Sequence, residues 1–113
     1  MAGLAVCIGA FGAHGLRELL ARFDRADTFE LAVKYQFYHS FALLITGLLL
    51  RGHDSAALRY AAICFVGGIA LFSGSLYVLS LTNEKILGAV TPFGGLLFIG
   101  GWVLLFAGLY RRI

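Results

Sequence analysis

Two imidazoles and a small set of hydroxyl and amide side chains are the groups in this chain that could do chemistry. They are His14, Tyr35, Gln36, His39, Ser40, Ser73, Ser75 and Thr91, each set within a run of apolar residues. A polar side chain in such a run marks a ligand site, a proton path or a hydrogen bond between helices. No Asp or Glu lies in these runs. That leaves no Ser-His-Asp set and no acid to drive a transport path, so no catalytic residue is assigned and the chain is not read as an enzyme. Two histidines at one depth could bind haem between them. Gly9, Gly12 and Gly15 beside His14 argue instead for helix contact too close to admit a porphyrin. Zinc needs a third and fourth N or S ligand, and Cys7 and Cys64 form no CxxC or other ligand spacing. Neither a metal nor a cofactor is expected.

The elements that must position these groups follow from composition. The chain has 113 residues, 60% apolar and only 13% charged, with a mean hydropathy of +0.88. A soluble domain is about 45–50% apolar and about 25% charged. A single domain of this size cannot hide so much apolar surface from water. Disorder, a disulfide scaffold and a soluble enzyme are excluded; a small integral membrane protein remains. The net charge of +3 does not point to nucleic acid, because the basic residues are scattered between apolar runs. The lipid bilayer is the expected partner.

Four runs lack Asp, Glu, Lys and Arg: Met1–Leu16, Tyr35–Leu50, Tyr60–Leu81 and Ile86–Tyr110. A spanning helix needs about 20 residues. The runs predict an all-α, up-down four-helix membrane bundle in one domain, 1–113, with spans near 1–18, 35–50, 60–81 and 91–110. Residues 19–34 mix charges with Leu and Phe and read as an amphipathic interfacial connector. Asp27 and Glu30 have N-cap spacing, so a helix should start there and run on into the second span. The short turns at 51–55 and 82–85 force antiparallel neighbours. Pro92 would break a single helix over 86–110. Thr91 is therefore expected as an N-cap with Pro92 as the first helical residue, and 86–90 as an interfacial or re-entrant piece.

Antiparallel order brings the end of helix 1, the start of helix 2, the end of helix 3 and the start of helix 4 to a common level. The polar residues fall near that level and predict one intramembrane cluster centred on His14 and His39, with Tyr35, Gln36, Ser73, Ser75 and Thr91. On helix 2, Tyr35, His39, Ala42 and Thr46 share a face. The cluster has two readings. One is interhelical hydrogen bonding in a non-enzymatic module that self-associates or joins a larger membrane complex. The other is a site for a small molecule, a lipid head group or a quinone, or for the cargo of a small oligomeric transporter. Ala5, Gly9 and Ala13 make a small-residue stripe, as do Ala70 and Gly74, suited to internal packing or to homo-oligomers. Tyr35, Tyr38 and Tyr77 at one end, and Tyr60, Trp102 and Tyr110 at the other, are expected as interfacial belts.

Four segments carry a family likeness: Gly9–Leu16, Tyr35–His39, Leu71–Tyr77 and Leu87–Gly95. Together and in order they resemble the small bacterial membrane proteins grouped as domain of unknown function 423, with the transmembrane protein 256 homologues as animal relatives. The resemblance implies a multi-pass protein of the bacterial inner membrane and implies no activity. Members of that family usually carry a longer amino terminus than this chain shows.

Overall fold

A computed structural model of the protein describes residues 2–52 and 54–112, the side chains of Arg111 and Arg112 excepted. Met1, His53 of the expected 51–55 turn, and the terminal side chains lie outside the described residues. Within them helices and short turns account for the chain and there is no strand.

Helix α1 (Ala2–His14) is apolar on every side. It ends because the amides of Gly15 and Leu16 both donate to the Phe11 carbonyl, at 2.7 and 3.0 Å. The Phe11 ring lies over Gly15, where a Cβ would fall 2.6 Å from it. A residue without a side chain is what lets the chain turn. It swings through 75° into α2 (Arg17–Phe23), so the straight span expected over 1–18 is a bent pair. Asp24 then adopts the left-handed conformation at φ 54. Its N–H donates to Ala21 and that of Arg25 to Leu20, a Schellman ending.

Helix α3 (Ala26–Gly52) follows at once. Asp27, expected as its cap, sits inside the first turn, where an acid still complements the helix dipole. The Arg25 carbonyl takes the first helical bond, from the Phe29 N–H. Residues 26–34 are the opening turns of a 27-residue helix, which runs on into the second span as the Asp27/Glu30 spacing leads one to expect. Helix α4 (Ala56–Thr82) has the same length and contains a π turn over Ile69–Ser73. Asn83, left-handed at φ 57, closes it, and its side-chain oxygen accepts from Arg25 Nε at 3.1 Å. That bond ties the two connectors at this end of the molecule.

A 3-10 turn, Lys85–Ala89, leads into α5 (Thr91–Arg112). It occupies the stretch expected to be interfacial or re-entrant. Thr91 is the first helical residue, not the cap. Pro92 stays in the first turn, where a missing N–H breaks no helical bond.

Helices α4 and α5 pack antiparallel in a repeating register. Leu58 meets Gly108, Phe65 meets Gly101, Phe98 meets Gly68, and Phe72 meets Gly94. The same register sets buried Leu105 opposite buried Ala61. Positions spaced three and four residues apart recur on both helices, as in a coiled-coil seam. Every pair opposes a large residue to a small one. Closest approach is at Gly94, where a Cβ would lie 2.3 Å from the Phe72 backbone nitrogen.

Helix α1 packs on α3, with Gly12 under the Phe29 ring and Gly9 against Val33. This spends the small residues Gly9 and Ala5 of its stripe on internal packing. The Cα envelope is 50 × 26 × 14 Å. It is flat, about two helices thick, with α1 at an edge and packed chiefly on α3. Among the described residues two helices are long and apolar enough to cross a membrane, Ala56–Thr82 and Lys85–Tyr110, or three if the bent α1/α2 pair is one span. Helix α3 matches them in length but carries Tyr35, Gln36, His39 and Ser40 in its middle.

Candidate functional site

His39 is the midpoint of α3, thirteen residues from either end. Its Nδ1–H donates to the Tyr35 carbonyl at 2.8 Å. Its Nε2 accepts the Trp102 indole N–H at 3.0 Å. A carbonyl only accepts and an indole only donates, so these partners assign a neutral imidazole with its proton on Nδ1. The ring stacks on Phe98 with centroids 3.6 Å apart and planes 12° from parallel. Phe65 and Tyr35 close two further sides, each at 5.8 Å. His39 is only 5% exposed. Both nitrogens are engaged, and the group acts as a joint between α3 and α5.

The other polar side chains pair off locally. Tyr77 Oη donates to Gln36 Oε1 at 2.6 Å, joining α4 to α3. Ser73, displaced by the π turn, donates to the Ala32 carbonyl at 2.8 Å across the same interface. Ser75 and Thr91 share a hydroxyl–hydroxyl bond of 2.7 Å between α4 and α5. Ser40, Thr46 and Ser80 bond back to the carbonyl four residues earlier in their own helices. Among the described residues, no buried side-chain N or O lacks a partner.

The structure therefore brings Tyr35 and His39 together in one aromatic centre. It places Gln36, Ser73, Ser75 and Thr91 in separate pairs along the α3/α4/α5 contacts. His14 joins none of them. It is exposed at the end of α1, its Nδ1–H donating to the Ala10 carbonyl at 2.8 Å. Gly12 docks at Phe29, and His39 lies ten residues beyond Phe29, a rise of about 15 Å. The two imidazoles are not at a common level, and a haem held between them is ruled out. Among the described residues no three His, Cys, Asp or Glu side chains gather where a metal could bind.

Two hollows flank these contacts. One, about 410 Å³, lies between α1, α2 and α3 and is bordered by Gly9, Gly12, Arg17, Phe29 and Glu30. The other, about 620 Å³, is a groove between α3 and α5 that opens sideways. Its walls are Tyr35, Tyr38, Phe72, Gly95, Ile99 and Trp102, with the His39/Phe98 stack as its floor. Trp102 and Tyr77, expected as belt residues, each hydrogen-bond to α3. Trp102 lies eleven residues into α5, at mid-helix, and bonds to His39. Sequence reasoning missed Phe65, Phe98 and Trp102 as members of the site. The alternation of large and small residues over 58–72 and 94–108 was the signal that could have found the first two.

The profile of a family described as "Protein of unknown function (DUF423)" matches residues 8–95. The chain belongs to the DUF423 family. The matched stretch holds every predicted site residue and stops short of Phe98 and Trp102 on the α5 wall. Similar proteins include a UPF0382 membrane protein of Staphylococcus haemolyticus, 45% identical over 111 residues, covering 97% of this chain and 88% of that one. A UPF0382 membrane protein of Staphylococcus aureus is 44% identical, covering 96% and 87%. One from Staphylococcus epidermidis is 49% identical, covering 90% and 82%. No solved structure matches this DUF423 chain.

Proposed function

We propose that this DUF423 chain is a multi-pass protein of the bacterial inner membrane, a single domain in which the bent α1/α2 pair, α3, α4 and α5 form four membrane segments. It acts as a non-enzymatic module that assembles laterally with further copies or with a larger membrane complex. The observation that carries this reading is the inverted distribution of polarity. Gln36, His39, Ser40, Thr46, Ser73, Ser75 and Ser80 are buried and bonded, while Leu4, Phe11, Ile63, Leu96, Val103 and Phe106 are exposed. Such a surface suits lipid or another apolar helix. Gln36, His39, Ser73 and Ser75 bond across helix contacts, which supports a packing role for them. Names given to the relatives, all membrane proteins, agree. Lateral assembly is supported by the thinness of the layer and by α1, which is apolar all round yet packs chiefly on one long helix.

The test is chemical cross-linking in native membranes, followed by extraction in mild detergent and mass measurement. The expected product contains more than one 12.2 kDa chain, or this chain with a second membrane protein. A single chain recovered under both conditions would overturn the assembly reading.

A further inference from the structure

The α3/α5 groove has the features of a binding site, and it lies on one chain without need of any assembly. Its volume of about 620 Å³ falls within the range of small-molecule pockets, about 300–1,000 Å³. Two stacked pairs give it flat walls. Tyr35 lies on Phe72 at 4.6 Å and 21°, and His39 on Phe98 at 3.6 Å and 12°. Flat aromatic walls favour a planar guest. The space exists because residue 95 is glycine; a Cβ there would only graze Phe72, at 3.9 Å.

Polarity in the groove is uneven. His39 and Trp102 consume each other's hydrogen-bonding capacity. Tyr35 and Tyr38 sit one turn apart, with ring centroids 6.0 Å from each other. Neither phenol hydroxyl bonds to any group among the described residues. The groove therefore has two donors toward the Lys34 end and hydrocarbon elsewhere, with Ile99 on the opposite wall. No Asp, Glu, Lys or Arg lines it. An anionic head group would find no cation there, whereas a neutral carbonyl oxygen would find a phenol.

We propose that the α3/α5 groove binds a neutral, ring-headed membrane lipid of the quinone class. The ring lies against Tyr35 and Phe72, its carbonyl oxygens accept from the Tyr35 and Tyr38 hydroxyls, and its apolar tail leaves sideways past Ile99 into the bilayer. The inference concerns binding alone and involves no redox step.

Trp102 is the single tryptophan of the chain and stands on the groove wall, so its fluorescence reports occupancy. The purified full chain in detergent is titrated with a short-tailed naphthoquinone. Saturable quenching is expected. Gly95→Leu fills the groove and should weaken binding at least about tenfold, while Gly100→Leu, at a position with open space around it, should leave binding unchanged. The pair Tyr35→Phe and Tyr38→Phe, which keeps the rings, should weaken binding about tenfold through the lost hydrogen bonds. Helical circular dichroism and melting confirm that each variant is folded. Linear, unsaturable quenching of the wild type would overturn the proposal. So would saturable quenching unchanged in folded Gly95→Leu, or displacement of the quinone by a saturated phosphatidylcholine at equal concentration, which would mark the groove as an acyl-chain contact.

Discussion

The α4/α5 seam and the α1/α3 edge are both built on glycine, and they behave differently. In the seam, Gly94, Gly101 and Gly108 recur every seven residues, each facing a large partner on α4. At the edge, Gly9 and Gly12 admit Val33 and Phe29, but a hollow of about 410 Å³ remains beside them. The difference lies in what each glycine faces. Gly94 meets main chain, held in place by a helix. Gly12 meets a ring that has Tyr77 on one side and the hollow on another. Small residues seat helices without leaving a hollow where the opposing surface repeats at the same interval.

Three measurements press on this contrast, each by thermal melting in detergent. Gly94→Ala places a Cβ 2.3 Å from the Phe72 nitrogen and 2.7 Å from its Cα. Backbone within a packed helix cannot step aside, so a loss of about 3 kcal/mol is expected, at the upper end for overpacking. Gly100→Ala, with nothing within 4 Å, should cause no loss. Equal melting of the two variants would dissolve the distinction drawn for the seam.

Trp102→Phe removes the donor to His39 Nε2 and strands that nitrogen among aromatic rings. About 1.5 kcal/mol should be lost. Adding His39→Phe removes the stranded group as well and should recover part of it, because two apolar partners leave nothing unpaired. A double variant less stable than the single one would show that the imidazole holds α3 and α5 together in some other way.

Gly12→Ala is the sharpest probe of the edge. The new Cβ would fall 2.2 Å from Phe29 Cε1, as close as the clash at Gly94. Phe29 borders the hollow and can swing into it. The expected cost is about 1 kcal/mol, well below that at Gly94. A loss matching Gly94→Ala would mean that the edge is as tightly held as the seam.

Much of the helix pattern was legible in the sequence for definite reasons. Uninterrupted apolar runs located α4 and α5, and Pro92 marked where the last helix starts. The inward face of α3 followed from the spacing of His39, Ala42 and Thr46, all of them buried. The pairing of His14 with His39 failed because depth was counted from Lys34, the last charge before the apolar run. Helix α3 starts at Ala26, so the end of α1 docks two to three turns earlier than that count allows. The Asp27/Glu30 spacing marks the start of α3 closely, but the level of the apolar run does not mark where α1 docks on it. The bend at Gly15 was likewise hidden, since it depends on where the Phe11 ring comes to rest. The role of Trp102 needed α3 and α5 in three dimensions.

The π turn at Ile69–Ser73 gives α4 one residue more than a regular coil of the same height would hold. Removing any one of those five residues would let the stretch close into regular α-helix of nearly the same height and rotation, so its two halves would keep their faces. The half bearing Leu58 and Phe65 would keep its seat on α5. The half bearing Ser75 and Tyr77 would keep its hydroxyls on Thr91 and Gln36. The helix is in effect two rulers joined by one loose link: a residue lost there shortens the chain and alters neither scale.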